Sequence, residues 1–156
     1  MIAMTTGLEK KSVLVVDDDE RMLRALDKVL SNEGASVTCS NWAAGAVKLL
    51  AEKKAAVDLV IIDLIMPAMS GLTAIFSIHS RFPKLPIIVL TAFGSPEVKA
   101  ECFNQGAVAF LEKPLDSRVL VNAVRGVLVS TANGTGRNRL LPNGPGEDDG
   151  RLDGRN

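Results

Sequence analysis

The 156-residue chain carries no net charge: 18 Lys and Arg balance 18 Asp and Glu. That balance excludes bulk attraction to nucleic acid or to an anionic membrane. Its single histidine, His79, has no partner for a metal site or a catalytic triad, and like Trp42 is read as structural. Its two cysteines, Cys39 and Cys102, lack metal or redox spacing and read as small buried hydrophobes in a reducing compartment. No apolar stretch approaches the roughly 20 residues needed to cross a bilayer. The first ten residues lack the basic and then apolar pattern of a secretory signal, so a cytoplasmic location is expected. No glycine-rich loop follows the first apolar run, which argues against nucleotide binding. There is no internal repeat, and no helix-turn-helix or other DNA-binding segment follows Ser130, so neither direct nucleic-acid binding nor membrane contact is expected.

What the chain does have is a set of apolar runs that end in polar residues. Val13-Leu14-Val15-Val16 leads into Asp17-Asp18-Asp19, and Leu59-Val60-Ile61-Ile62 into Asp63. Ile87-Ile88-Val89-Leu90 leads into Thr91, and Val108-Ala109-Phe110-Leu111 toward Lys113-Pro114. Near-continuous apolar runs of this length suit parallel strands buried on both faces. The predicted strands are 13–16, 35–39, 59–63, 87–91 and 107–111. The second, Ala35-Ser36-Val37-Thr38-Cys39, alternates and so reads as an edge strand.

Helical stripes lie between the strands. Met22, Leu23, Leu26, Val29 and Leu30 form the first, ended by Gly34. Ala43, Ala46, Val47 and Leu50 form the second. Leu72, Ile75 and Phe76, bordered by His79, form the third, with Ser70 as N-cap. Ser95-Pro96-Glu97 opens the fourth, and Asp116 caps a fifth bearing Leu120, Val121, Val124 and Leu128. This (βα)5 order predicts an α/β, flavodoxin-like, doubly wound parallel sheet with strand order 2-1-3-4-5. Three regions follow: a flexible leader at 1–10, one domain at 11–130, and a disordered tail or linker stub at 131–156. Residues 131–156 hold six of the 13 glycines and no aromatic residue, too little apolar surface to offset ordering entropy. Leu140-Leu141 within it is either a short docking motif or a chance pair.

In an open parallel sheet ligands bind beyond the carboxyl ends of the strands. Asp17, Asp18, Asp63, Thr91 and Lys113 all fall there. Clustered carboxylates repel one another, and hard oxygen donors suit Mg2+ rather than zinc. Asp63, at the tip of the central strand, can act as a nucleophile toward phosphorus and form an acyl phosphate. The cation and Lys113 would neutralise the transferring phosphoryl group, and Thr91 could donate its hydroxyl to it. Each residue alone has a plain structural reading, Asp17 to Asp19 as a helix N-terminus favoured by the dipole among them. The joint pattern, one polar residue at the same end of each strand, is what favours the functional reading.

These residues make the chain resemble the receiver domain of two-component response regulators. The resemblance covers roughly residues 11–130. It rests on Val15-Val16-Asp17-Asp18, Asp63-Leu64-Ile65-Met66-Pro67 with Gly71, Thr91-Ala92, Gly106-Ala107 and Lys113-Pro114. It implies a signalling phosphoprotein in which Asp63 accepts a phosphoryl group from a histidine kinase or histidine phosphotransfer protein. It implies that Asp18, Asp63 and the backbone carbonyl of Ile65 bind Mg2+ directly, and Asp17 through water. Lys113, with a cis bond to Pro114, would contact the phosphoryl group, and Thr91 and Phe110 would switch together. The surface of the fourth helix, fifth strand and fifth helix would then be read by a downstream protein target or by a second copy in a phosphorylation-dependent homodimer. Only weak self-phosphorylation and self-dephosphorylation would count as enzymatic.

Three positions depart from the family pattern. Ser70 stands where an acidic residue is common, and either caps the following helix. Phe110 replaces the common tyrosine and lacks its hydroxyl. Ile65 is apolar where many relatives are polar, which should hinder the water that attacks an acyl phosphate. Two rival readings are a phosphorylation-independent interaction module and an aspartate-nucleophile phosphatase of the haloacid-dehalogenase type. The latter would use Asp17, but Arg21 stands where that family has Thr or Val.

Overall fold

A computed structural model describes residues 7–52 and 56–132 of the chain. The order is β1 (Ser12–Val16), α1 (Glu20–Asn32), β2 (Ser36–Ser40), α2 (Ala43–Glu52), β3 (Leu59–Ile62), α3 (Gly71–Arg81), β4 (Ile87–Thr91), α4 (Pro96–Gln105), β5 (Ala109–Glu112) and α5 (Ser117–Ala132). All pairings are parallel and the sheet order is β2-β1-β3-β4-β5, the flavodoxin-like arrangement expected from the alternation of apolar runs and helical stripes.

The period of two along each strand divides the core in half. Leu14, Val16, Val60, Ile62, Ile87 and Val89 face α2, α3 and α4. Val13, Val15, Leu59, Ile61, Ile88 and Leu90 face α1 and α5. Strands buried on both faces carry no polar side chains until their ends, which explains the unbroken apolar runs.

Helix ends follow the local chemistry. Asp19 caps α1 by accepting the Arg21 N–H, Ser70 caps α3 through the Thr73 N–H, and Ser95 caps α4 through the Val98 N–H, with Pro96 in the first turn. Gly106 closes α4 at φ +120°, a conformation that favours glycine. Gly106 and Ala107 donate to the carbonyls of Phe103 and Cys102, so β5 starts at Ala109, later than its apolar run suggests.

The two cysteines part company. Cys102 is buried in α4, but Cys39 is exposed, against the expectation of two buried thiols. The edge position of β2 is the reason: it pairs only with β1, and its residues 36, 38 and 39 are exposed. Trp42 is also largely exposed. It lies across α2 at Gly45, where an added Cβ would sit 2.2 Å from the indole nitrogen.

Leu8 falls in the stretch read from the sequence as a flexible leader, yet it is fully buried against the α1 and α5 core. Its carbonyl accepts the Lys11 N–H at 3.1 Å, closing a turn that feeds directly into β1. Nearby, Arg125 of α5 pairs with Glu33 at the end of α1 at 2.7 Å, joining the two helices that cover this face. The reading of 131–156 as a tail concerns residues that, from 133 onward, lie outside the described ones. Among the described residues no helix is long and apolar enough to cross a membrane.

Leu8→Ala should lower unfolding free energy by about 2–4 kcal/mol, the usual range for emptying a buried leucine site. Urea unfolding of the full chain checks this. An unchanged midpoint would mean that the leader contributes no packing.

Candidate functional site

Three strand extensions assemble the site. Asp17 follows β1 and donates its N–H to the Ser40 carbonyl at 3.1 Å. Asp63 follows β3 and donates to the Val16 carbonyl at 2.9 Å, while the Lys113 N–H reaches the Thr91 carbonyl at 2.9 Å. The parallel ladder therefore continues one residue past the apolar part of the sheet. The same bonds that fix strand register fix the spacing of the polar residues.

The three consecutive aspartates divide their work. Asp17 is 2 % exposed and turns into the pocket. Asp18 is exposed at its mouth, and Asp19 is the cap of α1. Asp17, Asp18 and Asp63 each offer a carboxylate oxygen, and these oxygens all lie within 4.8 Å of one another. Lys113 Nζ donates to Asp17 Oδ2 at 2.6 Å and to Asp63 Oδ2 at 3.0 Å. The second Asp17 oxygen accepts the Asp19 N–H at 2.9 Å.

Burial pushes the Asp17 carboxyl above its ordinary value, against the hydrogen bond and charge of Lys113 and with the repulsion of Asp63. Burial would lower Lys113, but hydrogen bonds and charges from both carboxylates outweigh it and raise its pKa. Three carboxylates and one ammonium leave a formal charge of −2, that of one divalent cation with sign reversed. The donor set is all oxygen, which fits Mg2+ in kind. Asp17, Asp18 and Asp63 could hold such an ion.

Asp63 reaches the pocket because Gly71 lets α3 start directly against it. A Cβ at residue 71 would lie 2.4 Å from the Asp63 carbonyl oxygen and 2.5 Å from Leu64 Cα, both backbone atoms. The remaining Asp63 oxygen accepts the Ile65 N–H at 3.3 Å. Thr91 is fully buried, and its hydroxyl accepts the Phe93 N–H at 3.4 Å. Phe110 is 2 % exposed and pairs in register with Val89, on the sheet face that Thr91 shares. The Lys113–Pro114 peptide is cis.

Two features of the site escape the linear reading. Ile65 and Phe93 are 54 % and 60 % exposed, large apolar side chains each standing two residues after a pocket residue. Ile65 was singled out from the sequence, but Phe93 was not, although the Thr91-Ala92-Phe93 spacing repeats that of Asp63-Leu64-Ile65. Ser40 was also missed: besides holding Asp17 through its carbonyl, it donates its hydroxyl to the Trp42 carbonyl at 2.9 Å. An isolated serine at a strand end carries no signal of that kind.

A family model described as "Response regulator receiver domain" matches residues 13–125. The chain is 37% identical over 123 residues to transcriptional regulatory protein GlrR of Escherichia coli K12, covering 79% of this chain and 27% of that protein. It therefore spans about a quarter of the length of that curated relative. Among solved structures, a CheY-like response regulator receiver domain protein from Methanospirillum hungatei JF-1 aligns with TM-score 0.76 and 26% identity, over 80% of this chain and 98% of that one. The signal receiver domain of an HD domain-containing protein from Pseudomonas fluorescens Pf-5 aligns with TM-score 0.75 and 31% identity, over 80% and 99%.

Asp17→Asn should stabilise the metal-free protein while weakening Mg2+ binding. The change removes a charge that burial and Asp63 both disfavour, keeps an acceptor for the Asp19 N–H, and leaves Lys113 its bond to Asp63. The expected readout is a higher thermal midpoint for the metal-free variant at neutral pH. The sign with pH follows from the raised Asp17 pKa. The folded state holds that proton more tightly than the unfolded chain. The wild type's deficit is therefore absent below the ordinary carboxylate pKa and grows as pH rises through the folded value. The advantage of Asp17→Asn should appear at neutral pH and vanish on acidification. A metal-free variant less stable than wild type at pH 7 would contradict this account of the pocket.

Proposed function

The chain belongs to the response regulator receiver domain family, and from that membership we propose that Asp63 is its phosphoacceptor. In the proposed step a carboxylate oxygen of Asp63 attacks the phosphorus of a partner's phosphohistidine in line. A P–O bond forms, the P–N bond breaks, and the imidazole leaves. The donor is a histidine kinase or a histidine phosphotransfer protein. The observation that carries the reading is the placement of Asp63 within one acidic cluster and within reach of the Lys113 ammonium.

Asp18, Asp63 and the backbone carbonyl of Ile65 would hold Mg2+ directly, and Asp17 would do so through water. The ion supplies positive charge to the oxygens of the transferring phosphoryl group. Lys113 already bonds the acceptor carboxylate, so its ammonium is available to a phosphoryl oxygen without a long excursion. Asp17 keeps Lys113 in place through its shorter bond. Thr91 turns its hydroxyl from the Phe93 N–H toward the new phosphoryl oxygens, and Phe110 fills the space it leaves. Phosphorylation adds about −1.5 to −2 charge at this edge of the sheet. The result is a population shift between two states that both exist beforehand. Moving such an equilibrium from 1:99 to 99:1 requires the phosphoryl group to favour one state by about 5.5 kcal/mol.

The surface of α4, β5 and α5 is the proposed output, read by a downstream protein or by a second copy in a phosphorylation-dependent homodimer. Direct nucleic-acid or membrane binding is not part of the proposal, and a cytoplasmic setting suits a kinase-fed switch. A receiver is a signalling module rather than an enzyme. The chemistry proposed for this chain alone is weak self-phosphorylation from small donors and self-dephosphorylation. A phosphatase using Asp17 is disfavoured because Arg21 stands where that family has Thr or Val, and Asp17 is more buried than Asp63, 2 % exposed against 8 %.

Phosphotransfer from the source organism's histidine kinases should label the wild type and not Asp63→Asn. Equal labelling of the variant would move the acceptor elsewhere. Ile65 and Phe93 are proposed to shield the acyl phosphate from water, so Ile65→Asn should shorten its half-life several-fold. An unchanged half-life would remove shielding by Ile65 from the account.

A further inference from the structure

The sheet is covered by helices on both faces, and at the amino-terminal ends of β1, β3 and β4 the connecting loops and the end of α5 border an open edge. A groove of about 520 Å³ lies at that edge, opposite the acidic cluster. Its apolar wall is made by Val57 before β3, Phe82 and Leu85 before β4, and Leu128 near the end of α5. Val57, Phe82 and Leu85 belong to one core and Leu128 to the other, so the groove is the seam where the two halves of the interior meet. Lys11, Asp58 and Lys84 add charge to the lining, and the Asp58 carboxylate is anchored by the Ser12 N–H at 2.8 Å.

Thr131, one residue before the end of the described chain, also lines this groove. The chain thus leaves α5 at the groove itself. From residue 133 to 156 its only large aliphatic residues are Leu140, Leu141 and Leu152, and Pro142 follows the adjacent pair. We propose that the groove is the docking site of the chain's own Leu140-Leu141-Pro142 segment. The inference is independent of the phosphoacceptor reading.

Reach favours this occupant. Leu140 lies nine positions after Thr131, and the eight residues between them include Gly134 and Gly136. A flexible chain of that length has a root-mean-square span of about 15–18 Å. Tethering at such a distance gives an effective concentration in the millimolar range, so a weak contact is populated without any partner. Charge favours it as well. Arg137 and Arg139 precede the leucines and offer cations to Asp58, while Glu147, Asp148 and Asp149 follow and offer anions to Lys11 and Lys84. An untethered partner lacks the advantage of reach.

The test compares amide NMR spectra of the full chain with those of Leu140→Asp/Leu141→Asp. The substitutions lie outside the core, and unchanged signals from Asp63 and Thr91 will report an intact fold. Docking requires that the Val57, Leu85 and Leu128 signals move in the variant and be independent of protein concentration in the wild type. A synthetic peptide of residues 137–149 added to the variant should move them back. If these signals do not differ between the two proteins, the proposal fails. If the wild-type signals move on dilution, the occupant is a second copy and the proposal also fails.

Discussion

Lys113 stands between two carboxylates that the fold would otherwise hold in mutual repulsion, and the arrangement of the functional edge depends on that contact. Two like charges within about 5 Å near a protein surface repel by on the order of 3 kcal/mol. The single ammonium, 2.6 Å from Asp17 and 3.0 Å from Asp63, offsets the repulsion between those two. It leaves Asp18 uncompensated at the mouth. The pocket is therefore stable enough to fold and still two charges short of neutrality. A site so poised favours a divalent cation without needing one to hold its shape.

The parallel sheet supplies this arrangement with few special devices. Each right-handed crossover returns the chain to the same edge, so the residue after each strand lands beside its neighbours. Ladder bonds from Asp17, Asp63 and Lys113 then set their spacing to the strand separation. The exceptions are local and few. Gly71 gives up its side chain so that α3 can begin against the Asp63 backbone. Asp19 leaves the pocket to cap α1, which keeps a third consecutive carboxylate out of the cluster. Stability is concentrated in the strand interiors, and electrostatic strain is concentrated at one edge where chemistry is wanted.

Much of this was legible in the linear sequence because its physics is short-ranged. Unbroken apolar runs mark strands buried twice, an alternating run marks the edge, and Ser70, Ser95 and Gly106 mark helix ends. The candidate residues were readable because each stands at the end of its own run, and the structure brings Asp17, Asp18, Asp63 and Lys113 together. What escaped depends on contacts between distant segments. Nothing near Leu8 reveals that α1 and α5 leave a slot for it. Nothing near Cys39 shows that α1 covers its side of the edge strand only in part, leaving the residue exposed with its thiol 3.9 Å from the Leu23 carbonyl. The division of labour among Asp17, Asp18 and Asp19 needs the direction in which the chain turns into α1. The exposure of Phe93 depends on the course of the β4–α4 connection. In each case the missing information was three-dimensional proximity rather than residue chemistry.

The proposed function makes this edge of the sheet a cation-dependent phosphoacceptor built around Asp63. The most direct measurement exposes the full chain to a small phosphodonor such as phosphoramidate, with Mg2+ and with chelator, and locates any added phosphoryl group by peptide mass mapping. The account requires one phosphoryl group on Asp63, labile to base and to hydroxylamine, that appears with Mg2+ and not with chelator. A modification on Asp17 or Asp18, or equal labelling of Asp63 without the cation, would contradict it.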